Sequence, residues 1–302
     1  MGKVVLAGGS GFIGHELITL FTHLGDEVVV LSRHPQDLGN ARCVVWDAEN
    51  VGDWAKELEG ARAVINLSGS PIQVKWTKES RLEILQSRLR SAQAIGRAIQ
   101  KCVQPPEAWI NASAIGYYGD RGGEELTEAS APGKRKDFVV DTCVAWEAAP
   151  SEFDTPNTRK CIVRIGIVLG KGGGAFPPYL KLTRCFLGGH HGGGEQYVSW
   201  IHVKDLARII AQCAERDLGP VVNGTSPNPV TNRFFMAALR GVVGRPWSPP
   251  VPGFILAIAN LFGAPDPSLI LNGQRVLPKA ARDAKFVFEY DDLRDAFRSL
   301  IG

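Results

Sequence analysis

Strand-type apolar runs recur along the chain, and most are continuous in Val, Ile and Leu rather than alternating: KVVLA at 3–7, EVVVLS at 27–32, RCVVW at 42–46, ARAVINL at 61–67, EAWINAS at 107–113 and KCIVRIGIVLG at 160–170. Continuous runs suit strands covered on both faces, as in a parallel sheet. Between them lie stretches of helical period, at 12–24, 78 to about 101 and 137–149. This alternation predicts an α/β fold: a doubly wound parallel sheet with right-handed crossovers. After Gly170 the texture changes to glycine-rich passages, GKGGGAF and GGHHGGGEQ, and from Arg245 a Pro-rich stretch leads into mostly helical sequence. The expected organisation is a domain over 1–240 and a small, mostly helical C-terminal extension over 241–302 that contributes to a substrate lobe.

Composition narrows the class of partner. A chain of 302 residues, 44% apolar and 22% charged, is able to bury a substantial core. Its 34 basic and 31 acidic residues leave a net charge of +3 spread along the chain, which argues against nucleic acid or a membrane surface as partner. The six cysteines lie 18 or more residues apart with no CxxC pair, so neither zinc nor a disulfide framework is signalled, and no metal is expected. The start runs straight into a strand and no apolar run reaches 18 residues, so a cytoplasmic protein, monomer or homodimer, is expected.

The first strand is followed at once by GGSGFIG, comprising Gly8, Gly9, Ser10, Gly11, Phe12, Ile13 and Gly14. Glycines at these spacings, between a buried strand and an amphipathic helix, permit a tight turn and bring backbone N–H groups to a pyrophosphate at the helix N-terminus. Further on, where an NAD site places a carboxylate on the ribose 2'-hydroxyl, the chain has Ser32 and Arg33. A guanidinium pairs with a 2'-phosphate that a carboxylate would repel, so NADP(H) is expected over NAD(H). Asp47 either accepts from the adenine amino group or caps its own loop.

With GGSGFIG, NLSG at 66–69, SAIGYYG at 113–119 and RIGIVLG at 164–170, the chain resembles the extended short-chain dehydrogenase/reductases. The motifs EQYVSWIHVKDLA, VNGTSPNPVTN and LNGQRVLPK narrow the likeness to the YfcH-type epimerase family, an atypical branch with its own C-terminal extension. That resemblance spans nearly the whole chain and implies a Rossmann domain, an NADP-type cofactor and a small-molecule substrate of unsettled identity. It implies that Leu67, Ser68 and Gly69 line the adenosine-ribose side of the cofactor, and that Glu83 and Arg88 reach its sugar or phosphates. For Glu83 the alternative is a place on a solvated helix face.

The usual proton machinery of that superfamily is a Tyr with a Lys four residues later, and none of the five tyrosines here has one. Aligning Glu147 with the glutamate that commonly follows the motif puts Val139 at the tyrosine position and Cys143 at the lysine position. Ser113 fits the place of the polarising hydroxyl, and Tyr117 or Tyr118 either donates the proton or walls the nicotinamide pocket. His190 and His191 suggest a mobile loop over the substrate, His202 and Asp205 the start of a helix, and Arg275 with Lys279 an anion site or a basic turn. Two functions follow: an oxidoreductase or epimerase acting on a small substrate with NADPH, or a catalytically silent NADPH-binding module serving regulation or a partner.

Overall fold

In the computed structural model, residues 2–134 and 136–301 are described. Seven of their strands form one sheet: β1 (Lys3–Ala7), β2 (Glu27–Ser32), β3 (Arg42–Val45), β4 (Ala63–Asn66), β5 (Ala108–Ala114), β6 (Arg159–Ile165) and β7 (Val221–Gly224). The spatial order is β3-β2-β1-β4-β5-β6-β7 and every pairing is parallel. The order reverses between β1 and β4, which opens a crevice at the carboxyl ends of the strands. The doubly wound sheet expected from the apolar runs is what forms.

Alternate residues of each strand feed different cores. Val4, Leu6, Val28 and Val30 pack with α1 (Phe12–His23) and α5 (Val203–Glu215). Val5, Ala7, Val29 and Leu31 pack with Ala92, Ile95 and Ile99 of α2 (Lys78–Ile99) on the opposite face. That two-sided burial is why the runs are continuous. Local chemistry sets the helix starts: Thr77 and Ser80 form a reciprocal cap on α2, and the Asp137 carboxylate accepts from the Val139 and Val140 N–H groups at the head of α3 (Phe138–Ala148).

The run KCIVRIGIVLG, read as a single strand, divides at Gly166. Up to Ile165 it belongs to the main sheet, whereas Ile167–Gly170 pairs with Trp200–His202 in a separate sheet. A Cβ on Gly166 would press against the Ser199 carbonyl, so glycine permits the close passage where the chain changes sheets. A third core then forms from Phe176, Trp200, Phe235, Leu239, Phe297 and Leu300, joining α4 (Phe176–Arg184), α6 (Asn232–Val243) and the terminal helix Leu293–Ile301. The last sixty residues also return to the main domain, where Ala281 and Phe286 enter the first core and Arg275–Val276 pairs with Glu125–Leu126.

The passage 188–194, expected as a mobile loop over the substrate, is tied to neighbouring segments by hydrogen bonds. His191 is buried, its N–H donates to Asn232 Oδ1 at 2.8 Å, and the His190 carbonyl accepts from Val251 N at 2.8 Å. His202 and Asp205 do begin a helix. His202 caps α5 through Nδ1 and stacks on Tyr290 at 3.9 Å, and the buried Asp205 carboxylate accepts from the Glu289 and Tyr290 N–H groups.

Burial pushes the His202 imidazole down from 6.5 to about 4. The folded state therefore holds this ring neutral while the unfolded chain protonates it, so stability is full above the unfolded value and is lost as pH falls through the window from 6.5 to about 4. This residue adds up to about 1.4 kcal/mol per pH unit to that slope. Urea unfolding at pH values across the window should show the slope flattening in His202→Asn, which keeps a capping acceptor but does not titrate; an unchanged slope would assign the titration elsewhere.

Candidate cofactor cleft and the cavity beside it

At the carboxyl edge of β1, β2 and β4 lies a cleft of about 380 Å³. Gly8, at φ +74°, turns the chain out of β1, and a side chain there would meet Ser68 at 2.9 Å. A Cβ on Gly14 would collide with the Gly9 carbonyl, so glycine lets α1 pack directly on the loop. Gly11 caps α1 with no side chain, a Cβ there would meet only the Gly8 carbonyl at 3.8 Å, and the first turn of α1 carries no acidic residue. The positive end of the helix, with its unpaired N–H groups, therefore opens on the cleft. Ser68 Oγ is buried there without a protein partner.

Of the expected cofactor residues, Gly8, Ser10, Gly11, Ser32, Arg33, Asp47, Leu67, Ser68, Gly69 and Glu83 line this cleft. Gly9 and Gly14 lie behind it as packing glycines, and Phe12 turns its ring onto Gly170 and Gly173. Ile13 sits in the first turn of α1. Arg33 follows the last residue of β2, is exposed, and has no carboxylate partner among the described residues. The Asp47 carboxylate is held by its own turn, accepting from the N–H groups of Glu49 and Asn50 and from the Asn50 side chain; the Asn50 bonds, foremost among these, lower its pKa. Glu83 accepts from Ser70 and from Arg90.

Arg88 is placed differently from the expectation. Its guanidinium donates to the carbonyls of Ser70 and Ile84 and lies over the Trp146 ring at 4.9 Å, so it supports the 68–70 loop from behind. The basic side chain of α2 that lines the cleft is Arg90, with Ser87 and Glu83. Positions 83, 87 and 90 share one face of α2, and the helical period would have selected them over 88. His34, Gln36 and Trp46 also line the cleft. They come from turns after β2 and β3, where no spacing rule applies.

A second cavity of about 200 Å³ lies at the carboxyl ends of β5 and β6, bordered by Ala114, Ile115, Ile165, Ile167 and Val139. The segment 68–72 separates the two spaces, with Pro71 on one and Ile72 on the other. Ser113 does not line either. Adjacent strand residues face opposite sides, so Ala114 meets the cavity while the buried Ser113 hydroxyl donates to Glu147 Oε1 at 2.6 Å. Glu147 is bound bidentately by Arg164 at 2.9 and 2.7 Å. Arg164 in turn donates to Tyr118 Oη at 2.9 Å, and Tyr118 donates to Asn223 Oδ1 at 2.7 Å.

Burial pushes the Tyr118 phenol up to about 12, despite the opposing pull of Arg164. The Tyr117 ring lies under the Arg164 guanidinium at 3.5 Å, and this residue lines neither space. Ser113, expected at the reacting oxygen, and Tyr117 and Tyr118, expected as proton donor or pocket wall, thus converge on one buried guanidinium–carboxylate pair. Cys143, at the position of the missing lysine, is a buried thiol that desolvation, and next the Glu147 charge, push up to about 12. Arg275 pairs with Glu125 and Lys279 with Asp283. Among the described residues, no group of three or more His, Cys, Asp or Glu is arranged for a metal, and no helix is long and apolar enough to cross a membrane.

A parallel sheet reversing at β1 and β4, with a glycine turn feeding an open helix terminus, defines a nucleotide-binding α/β protein of the short-chain dehydrogenase/reductase type. The chain belongs to the NAD dependent epimerase/dehydratase family, which matches residues 4–223, and residues 251–300 match a domain of unknown function, DUF1731. Within it the chain is an atypical extended member. It is 35% identical over 306 residues to Epimerase family protein SDR39U1 of Bos taurus, covering 99% of this chain and 100% of that one. It is also 35% identical over 303 residues to Epimerase family protein YfhF of Bacillus subtilis (strain 168), covering 99% and 98%. The crystal structure of human SDR39U1 (isoform 2) with NADPH superposes with a TM-score of 0.89 at 33% identity, over 99% of this chain and 98% of that one.

The buried network makes a direct prediction. Tyr118→Phe removes a donor to Asn223 and an acceptor for Arg164, and unpaired buried groups cost about 1–3 kcal/mol. Tyr117→Phe keeps its ring under Arg164 and should change stability by less than about 0.5 kcal/mol. Urea denaturation of the two variants should separate them in that order; equal effects would mean that the Tyr118 hydroxyl does not hold the network.

Proposed function

We propose that this chain is an NADP(H)-dependent oxidoreductase or epimerase of the short-chain dehydrogenase/reductase type, with the cofactor in the larger cleft and a small substrate in the cavity beside it. The observation that carries this reading is the open N-terminus of α1, capped by a glycine at which a Cβ would meet only the Gly8 carbonyl. Its unpaired N–H groups suit a pyrophosphate. The orphaned Ser68 hydroxyl offers a further bond to the same ligand. Arg33 supports the choice of NADP(H): with no carboxylate partner, it is free to pair with a 2'-phosphate. The NADPH in the structure of the human relative supports the same choice.

When bound, the nicotinamide supplies or accepts a hydride. The chain's own residues orient it: glycines 8 and 11 give close approach to the backbone, and Ser32 and Arg33 meet the adenosine end. Ser113 and Tyr118 hold the wall between β5 and β6, because their hydroxyls are already engaged by Glu147, Arg164 and Asn223. The proton is then handled by a group facing the second cavity or by water. Those engaged hydroxyls also favour a second reading, an NADPH-binding module without turnover. Ser113→Ala separates the roles of this hydroxyl: a wall residue leaves the rate per folded molecule nearly unchanged, whereas a polarising group would lower it on the order of a hundredfold.

Calorimetric titration of the full chain should show NADPH binding at least tenfold tighter than NADH, a difference of about 1.4 kcal/mol. Arg33→Ala should bring the two within about threefold. Equal affinities in the unaltered chain would overturn the cofactor assignment.

A further inference from the structure

We infer that the second cavity takes a small, uncharged carbonyl compound or alcohol, held by Tyr197, Asn272 and Gln274, and not a nucleoside diphosphate sugar. This rests on the cofactor reading above only for the neighbouring nicotinamide; the substrate class comes from the cavity itself.

Its wall is largely apolar, built from Ala114, Ile115, Val139, Ile165, Ile167 and Leu269. Three of its six polar side chains already have partners. The Asp137 carboxylate caps α3, Ser199 donates to the Gln274 carbonyl at 2.6 Å and accepts from Val276 N at 2.8 Å, and Ser268 donates to Asp266 at 2.6 Å. What remains for a ligand is the Tyr197 phenol and the carboxamides of Asn272 and Gln274, all neutral and all able both to donate and to accept. That set matches a carbonyl or hydroxyl oxygen.

The charge of the described lining disfavours the alternative. No Lys or Arg lines the cavity among the described residues, and the one carboxylate that does, Asp137, is negative. Of the described arginines around it, Arg164 is held by Glu147, Arg275 pairs with Glu125, and Arg81 lies over the rings of Trp76 and Phe138; Arg135 lies outside the described residues. Lys134 and Lys136 are exposed and line neither space. A diphosphate placed here would lose hydration beside a like charge with no cation among the described lining residues to replace it. Size points the same way, since about 200 Å³ falls below the usual range of about 300–1,000 Å³ for drug-sized ligands.

The test titrates the full chain, with and without saturating NADPH, with benzaldehyde, cyclohexanone, 4-carboxybenzaldehyde and UDP-glucose. The neutral probes should bind the NADPH-loaded chain in the millimolar range or tighter. The carboxylate should bind at least tenfold more weakly than benzaldehyde, and UDP-glucose should not compete with it. Gln274→Ala and Tyr197→Phe should each weaken the neutral probes about tenfold with NADPH affinity unchanged, and Asn272→Arg should raise affinity for 4-carboxybenzaldehyde. UDP-glucose or the carboxylate binding as tightly as benzaldehyde, or no binding of either neutral probe, would overturn the inference. Failure of NADPH to bind would instead overturn the cofactor reading, and the cofactor-free titrations keep the ranking of probes legible in that case.

Discussion

A single buried ion pair, Arg164 to Glu147, ties together the part of the molecule where the family's chemistry is usually located. It joins β6 to α3, takes the Ser113 hydroxyl from β5, and reaches β7 through Tyr118 and Asn223. Burial alone would lower the pKa of Arg164, yet its bonds to Glu147 outweigh that and hold it raised and charged. Both charges are therefore kept in a nearly water-free place by mutual geometry. Removing one partner of such a pair costs about 3–5 kcal/mol, because the other is left buried and unpaired. The hydroxyls that look catalytic are the groups that complete this pair.

Two adjoining spaces with different electrostatics follow. The larger cleft opens on a helix N-terminus and the exposed Arg33, unpaired among the described residues, while the charge of Arg90 is shared with Glu83. The smaller cavity has largely apolar walls, with the Asp137 carboxylate and the side chains of Tyr197, Asn272 and Gln274 among its lining. The strand order places them side by side at the carboxyl edge of the sheet, with the 68–72 segment between them. Arg88 holds that segment from beneath by binding the Ser70 carbonyl, a supporting role that its position on the inner side of α2 imposes.

Where sequence reading and structure part, the reason is periodicity. In α2 the residues 83, 87 and 90 share a face, so Arg90 enters the cleft and Arg88 does not. In β5 neighbouring residues alternate, so Ala114 lines the second cavity and Ser113 turns into the network. Gly166 divides a run that hydropathy reads as one strand, because a carbonyl from another segment passes too close for any side chain. The glycine-rich passage 188–194 is anchored by Asn232 and Val251, partners 41 and 60 residues or more away, and local composition carries no sign of them.

The amino-acid sequence by itself determined the layered architecture and the position of the nucleotide cleft, since both rest on local rules: continuous apolar runs make two-sided strands, and glycines at fixed spacing after a strand free a helix terminus. It also showed that the Tyr-Lys pair is missing, which needs only counting. The destination of the remaining hydroxyls was decided by tertiary structure alone. Ser113 and Glu147 are 34 residues apart, Tyr118 and Asn223 are 105 apart, and only folding brings them within hydrogen-bond distance. Once buried there, each polar group must find a partner or carry the cost of lost hydration, and the partners it found were protein groups.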